Sequence, residues 1–134
     1  MADEAVIIEL LGNGGDPIQY NCVDADAFPK GTILKLSDNR EADLSSAVGE
    51  VCAGICAMEK VASDGSTTVS AYTNGIFDLL EGEAAAIAIG VPVKISTANT
   101  IEEAEAGDAE TGVLFGHALA AFAGSDTQSV RVLI

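Results

Sequence analysis

The residues of this chain that could do chemistry are few, and their spacing is poor for it. His117 is the single histidine and sits inside an apolar run, Val113-Leu114-Phe115-Gly116-His117-Ala118-Leu119. A hydrolytic triad needs histidine beside a nucleophile and a carboxylate, and nothing in the sequence pairs them. A packed or interface histidine is the expectation. Cys22, Cys52 and Cys56 are odd in number, and the latter two lie four apart. On a regular strand that spacing sets both thiols on one face. Structural zinc usually takes about four Cys or His ligands at tight spacing, and this chain scatters its three Cys and one His over separate segments. Small buried thiols of a reducing compartment are expected, with a disulfide from Cys22 to either of the others left open.

Two further patterns look chemical and fall short. Gly12-Asn13-Gly14-Gly15 is glycine-rich, but no Gly-Lys-Ser/Thr follows and no helix opens after it, as a phosphate cradle requires. The acidic run Glu102-Glu103-Ala104-Glu105-Ala106-Gly107-Asp108 lacks the alternating ligands and placed glycine of a calcium loop, and Asp24 with Asp26 does no better. Both read as solvated surface. The sequence therefore predicts no catalytic residue, no metal site and no cofactor, and hence not an enzyme.

The elements that would have to position any site carry more information. Gly31-Thr32-Ile33-Leu34-Lys35-Leu36 is echoed by Gly90-Val91-Pro92-Val93-Lys94-Ile95, and each is followed by a second glycine within an apolar strand. Those glycines are Gly54 and Gly116, at separations of 23 and 26 residues. Two similar glycine-anchored β units in 134 residues predict one closed or sandwiched body. The fold class is thus all-β, a small barrel or sandwich with at most one or two short helices. Gly54 itself marks a bulge or a close backbone approach.

Along the chain, Ala5–Leu10, Ile18–Val23, Thr32–Leu36, Val51–Ala62, Thr67–Tyr72, Ile76–Leu79, Glu81–Ile89, Gly112–Phe122 and Gln128–Ile134 read as strands. Asp43-Leu44-Ser45-Ser46 could cap a turn of helix. Asn74-Gly75 predicts a tight hairpin turn, and Pro92 predicts an edge strand. Thr97–Glu110 reads as exposed loop or one short helix. The expected division is an N-terminal arm or first strand with a Gly-rich hinge over 1–17, then a single β domain over 18–134.

Composition narrows the partners. The chain is 49% apolar, carries 21 acidic against six basic residues, and has net charge −15. Its basic residues are scattered singly, which argues against nucleic acid as a principal ligand. The acidic shell suits a partner with a basic surface or, equally, a high-salt cytoplasm. Apolar runs of about seven or eight residues fall far below the roughly 20 that span a bilayer. No Sec-type signal is visible at the start, so a soluble chain made in a cytoplasm is expected, with no membrane partner.

Three segments taken together carry a resemblance: Phe28–Leu36, Val51–Ile55 continuing to Glu59-Lys60, and Asn74–Leu79, with Gly112–Leu119 closing the pattern. Over roughly residues 18 to 134 the chain resembles the capsid decoration (cement, head-stabilising) proteins of tailed bacteriophages and related archaeal viruses. The resemblance implies a compact β body on the outside of an icosahedral head. It implies a homotrimer at local three-fold positions, with the major capsid protein lattice as partner and the virion exterior as location. In the phage lambda type of decoration protein an N-terminal arm adds to capsid strands. Here that makes Ala2, Asp3, Glu4, Ala5, Val6, Ile7 and Ile8 candidate capsid contacts, within a β-prone segment ahead of a Gly-rich hinge. Val6-Ile7-Ile8 is also apolar enough for a core strand. The competing reading is a β-barrel binding module for carbohydrate or a host surface, which would need exposed aromatic rings. An enzyme subunit, a tail-tube protein and a major shell protein fit less well.

Overall fold

The computed structural model describes residues 15–82, 86–121 and 127–133. Among the described residues, ten strands and one short helix follow in order: β1 (Ile18–Asn21), β2 (Ile33–Asp38), β3 (Glu41–Leu44), β4 (Cys52–Cys56), β5 (Thr68–Tyr72), β6 (Asn74–Glu81), β7 (Pro92–Ile95), β8 (Thr100–Glu103), α1 (Asp108–Thr111), β9 (Gly116–Ala118) and β10 (Thr127–Leu133). They close into two five-stranded barrels, β1-β3-β2-β4-β5 and β6-β8-β7-β9-β10. The fold is all-β, as expected, and each of the two similar units forms a ring. Among the described residues, closure leaves neither ring with a free edge strand, the usual liability of a small sheet.

The duplication extends to register. Each ring has one parallel pair, β1 with β3 and β6 with β8, and its other pairings are antiparallel. Lys35 lies opposite Asp43, and Lys94 opposite Glu102. Gly31 and Gly90 share a positive φ, 88° and 81°, and their amides donate to the carbonyls of Cys56 and Ala118. The hairpin tips match too: Arg40 and Asn99 are both left-handed, at φ 50° and 55°. That conformation is uncommon for a side chain other than Asn or Asp. The sequences correspond at a constant spacing from Phe28 and Ile87 to Ser45 and Ala104. The longer β8–β9 connection, which contains α1, then shifts Cys56 onto Ala118.

Each barrel has its own core. The first is filled by Cys22, Phe28, Leu34, Ala42, Ala53, Cys56, Val69 and Ala71. The second holds Leu79, Ile87, Val93, Ile95, Ile101, Phe115, Ala118, Val130 and Val132, and it also takes in Ile33, Cys52 and Ile55 from the first barrel. All five residues of β4 are therefore buried, one face inward and the other against the second barrel. Two hydrogen bonds fix the junction. The Ile33 amide donates to Asn99 Oδ1 at 2.9 Å, and the Asn99 amide donates to Ser45 Oγ at 2.8 Å.

Several sequence expectations change. Asn74-Gly75 is no hairpin turn: both residues lie in β6, paired with Leu133 and Val132 of β10. The chain runs through buried Thr73 from one barrel into the next. β6 ends at Glu81, and of the described residues between there and Ile89 only Ile87 forms a bridge. Pro92 is not on an edge, because β7 pairs on both sides; it opens the strand, where its carbonyl accepts from Ala104. Asp43-Leu44 belongs to β3 rather than a helical turn, and Thr100–Glu103 is β8. Both strands are short and half polar because one side of each faces solvent or an ion pair, so neither shows an apolar run. The Val51–Ala62 strand shortens to β4.

Candidate functional site

Gly54 decides where the thiols go. Its φ is +141°, and a Cβ there would stand 2.6 Å from the Tyr72 carbonyl oxygen, so no other residue fits without displacement. The β2–β4 register slips at this point. The slip corrects the expectation that Cys52 and Cys56 share a face: Cys52 joins the core between the barrels and Cys56 the core of the first. All three cysteines are free and buried. Burial pushes the Cys52 thiol up to about 12 and raises those of Cys22 and Cys56, so none is a poised nucleophile.

The charged clusters tie loops to barrels. Lys35 Nζ lies 2.9 Å from Glu50 Oε1 and donates to Ser46 Oγ. Burial acts to raise the Glu50 carboxyl, but hydrogen bonds from the Ser46 hydroxyl and amide, and from Lys35, hold it at about 2. At the matching position Lys94, only 5% exposed, sits 3.0 Å from Asp108 and 3.4 Å from Glu102. The Asp108 hydrogen bond raises the Lys94 ammonium, and the Glu105 amide followed by Lys94 lowers Asp108. The acidic run is thus half a structural clamp, not the wholly solvated face expected. Lys60, equally buried, donates to the carbonyls of Asp24, Asp26 and Val61 and pairs with Asp64. It borders an open depression of about 300 Å³ lined by Gln19, Met58, Ser66, Thr68 and Ser70. With its donors engaged, this lysine braces loops rather than presenting a base.

His117 is exposed on the outer side of β9, not packed. Among the described residues no cluster of three or more His, Cys, Asp or Glu could hold a metal ion, and no helix is long and apolar enough to cross a membrane. Gly15 is exposed and leads within a few residues into β1, a strand. The capsid-contact candidates Ala2 to Ile8, and Gly12 to Gly14, lie outside the described residues.

Part of the exposed surface is apolar. Leu36 and Val51 are 46% and 40% exposed, and Val48 in the loop before β4 is exposed as well. The Leu36 amide bonds the Val51 carbonyl, so these two are adjacent. They form an open mouth at the β2–β3 end of the first barrel. A second group, Ile89, Pro92 and Leu119, lies along β7 and β9 of the second barrel. Sequence reading missed both, although the repeat held a signal: Leu36 and Val51 correspond to Ile95 and Val113, which are buried.

Comparison with known proteins bears on the fold and the family. The solved head fiber gp8.5 N base of bacteriophage phi29 superposes with a TM-score of 0.53 at 10% identity, covering 87% of this chain and 92% of that one. At that identity the likeness is one of fold. No curated protein sequence matches. The family model described as phage cement protein matches residues 13–134. The chain therefore belongs to the phage cement proteins, a family of structural, capsid-associated phage proteins.

Proposed function

We propose that this protein binds the outside of an assembled icosahedral capsid and stabilises it, as a homotrimer at local three-fold positions. The family match over residues 13–134 carries the reading. The fold supports it: the chain closes on itself in two rings, its buried lysines brace loops, and its free apolar groups face outward. A cement protein gains from many modest contacts repeated over the shell, so each copy needs only a small interface. Net charge −15 limits association in free solution and leaves binding to the geometry of the lattice.

Residues 18–134 act as one β domain, and 1–17 supply an arm and hinge in which Ala2 to Ile8 add to a capsid strand. No catalysis, nucleic acid or membrane enters this role. A carbohydrate or host-surface module gains no support, because Phe28 and Phe115 are buried and Tyr20, Tyr72 and Phe77 are partly buried, so none of these rings is exposed. The test mixes full-length protein with expanded, undecorated heads. Saturable, stoichiometric binding and a higher head-disruption temperature are expected; failure to bind at any salt concentration overturns the reading. Removal of residues 2–10 should abolish binding while leaving the circular dichroism of the barrels unchanged.

A further inference from the structure

Within one chain, the mouth of the second barrel is closed by the first. Val93 and Ile95 point into the second barrel, and Ile95 at its β7–β8 end is fully buried in a core that includes Ile33, Cys52 and Ile55. Those three side chains lie on the outer face of β2 and β4. The contact is head to tail: the outer β2/β4 face of one unit covers the hairpin-end mouth of the other. Each unit therefore owns a face and a mouth, and one of each is used inside the chain.

The unused pair is exposed. At the mouth of the first barrel Leu36 stands where the second barrel has Ile95, and Val51 where it has Val113. On the outer face of the second barrel Pro92 and His117 occupy the positions of Ile33 and Ile55, and Leu119, 37% exposed, continues that face. Because the two units share strand order and these paired positions, the free face and the free mouth are the counterparts of the pair already joined.

The polar residues at the junction have changed in step. Inside the chain the Ile33 amide needs an acceptor and Asn99 provides it. In the unused pair Pro92 has no amide hydrogen, and the residue in place of Asn99 is Arg40, whose side chain only donates. Arg40 turns instead to the Gln19 carbonyl, 3.3 Å away. The Ser45 hydroxyl that accepts from Asn99 is likewise replaced by Ala104. Bringing the free face onto the free mouth thus leaves no donor unpaired at Pro92, but Ala104 offers the Arg40 amide no acceptor, and neither hydrogen bond is gained. Such a contact is apolar, weaker than the internal one and reversible.

We infer that the partner of both surfaces is a second copy of this chain, the β7/β9 face of one copy closing the β2–β3 mouth of the next. Contacts of this heterologous type form rings when the rotation closes. The inference deepens the homotrimer reading and rests on it for the number of copies alone.

Two double variants test it on the full-length chain by sedimentation velocity. Leu36→Glu with Val51→Glu blocks the mouth; His117→Glu with Leu119→Glu blocks the face. All four residues are exposed, and far-ultraviolet circular dichroism checks that each variant folds. The wild-type chain is expected to grow in mass with concentration up to about 1 mM, and each variant alone to remain monomeric. Mixed in equal amounts, the variants should form particles of two copies and no larger, because each retains the surface the other lacks. Wild-type protein monomeric throughout, a variant that still assembles alone, or a mixture that stays monomeric overturns the inference. Head binding is measured on the same samples. Assembly without head binding sinks the capsid role and spares this contact; head binding by an obligate monomer does the reverse.

Discussion

The two barrels are one design in two settings, and their differences trace to what each has next to it. β4 of the first barrel is buried on both sides, whereas its counterpart β9 exposes His117. Ile33 and Ile55 are therefore interface residues, while Pro92 and His117 at the same positions meet solvent. The lysines diverge similarly. Lys35 has one carboxylate partner and is partly exposed; Lys94 is deeply buried among three acidic groups supplied by β8 and the longer β8–β9 connection. The strand frame is held constant, and the residues facing outward vary with the neighbour.

That contrast can be broken most severely at the junction. Ile55→Ala is expected to cost about 2–5 kcal/mol, since a fully buried side chain between two barrels leaves a cavity. His117→Ala, its counterpart, should stay within about 0.5 kcal/mol. Urea titration of both variants under monomeric conditions checks the pair, and equal losses would deny that the faces differ.

A smaller effect separates the loop clamps by pH. Glu50 is held at about 2 against an ordinary 4.5, so its contribution is present above pH 4.5 and lost as pH falls toward 2. After allowance for solvent screening the loss should be on the order of 1–2 kcal/mol. Glu50→Gln should lower stability at neutral pH and flatten this part of the profile, measured as urea midpoints between pH 5 and pH 2. Asp108 is also lowered, so the second barrel loses its clamp on the same acidic side. The raised Lys94 ammonium keeps its contribution below its ordinary value and yields it only in strong alkali.

The mildest test concerns the polar pin. Asn99→Gly keeps the left-handed backbone at φ 55° but removes the acceptor for the Ile33 amide. About 1 kcal/mol should be lost, together with faster hydrogen exchange at Ile33. Arg40→Gly, at the equivalent tip, should leave Pro92 and its surroundings unaffected.

The sequence showed the duplication because glycines at forced backbone positions recur: Gly31 with Gly90, and Gly54 with its close approach to Tyr72. It also showed most strands that have an apolar inner face, such as β2 and β5. It hid β3 and β8, whose four residues alternate between barrel core and charge, and it hid the bulge that turns Cys52 away from Cys56. Asn74-Gly75 misled, because a dipeptide suited to a turn also serves where a strand passes between barrels. The surface groups were unreadable in isolation: Leu36 looks like any strand leucine until Ile95 is seen buried in its place.

The buried thiols carry a consequence for a particle that leaves its cell. A free virion meets oxidising surroundings, where an accessible thiolate would invite mixed disulfides and cross-linked shells. Cys22, Cys52 and Cys56 are all enclosed, and burial disfavours ionisation of each, most of all Cys52 at about 12. The barrels can therefore be built with sulfur as ordinary small packing atoms and remain chemically quiet in air.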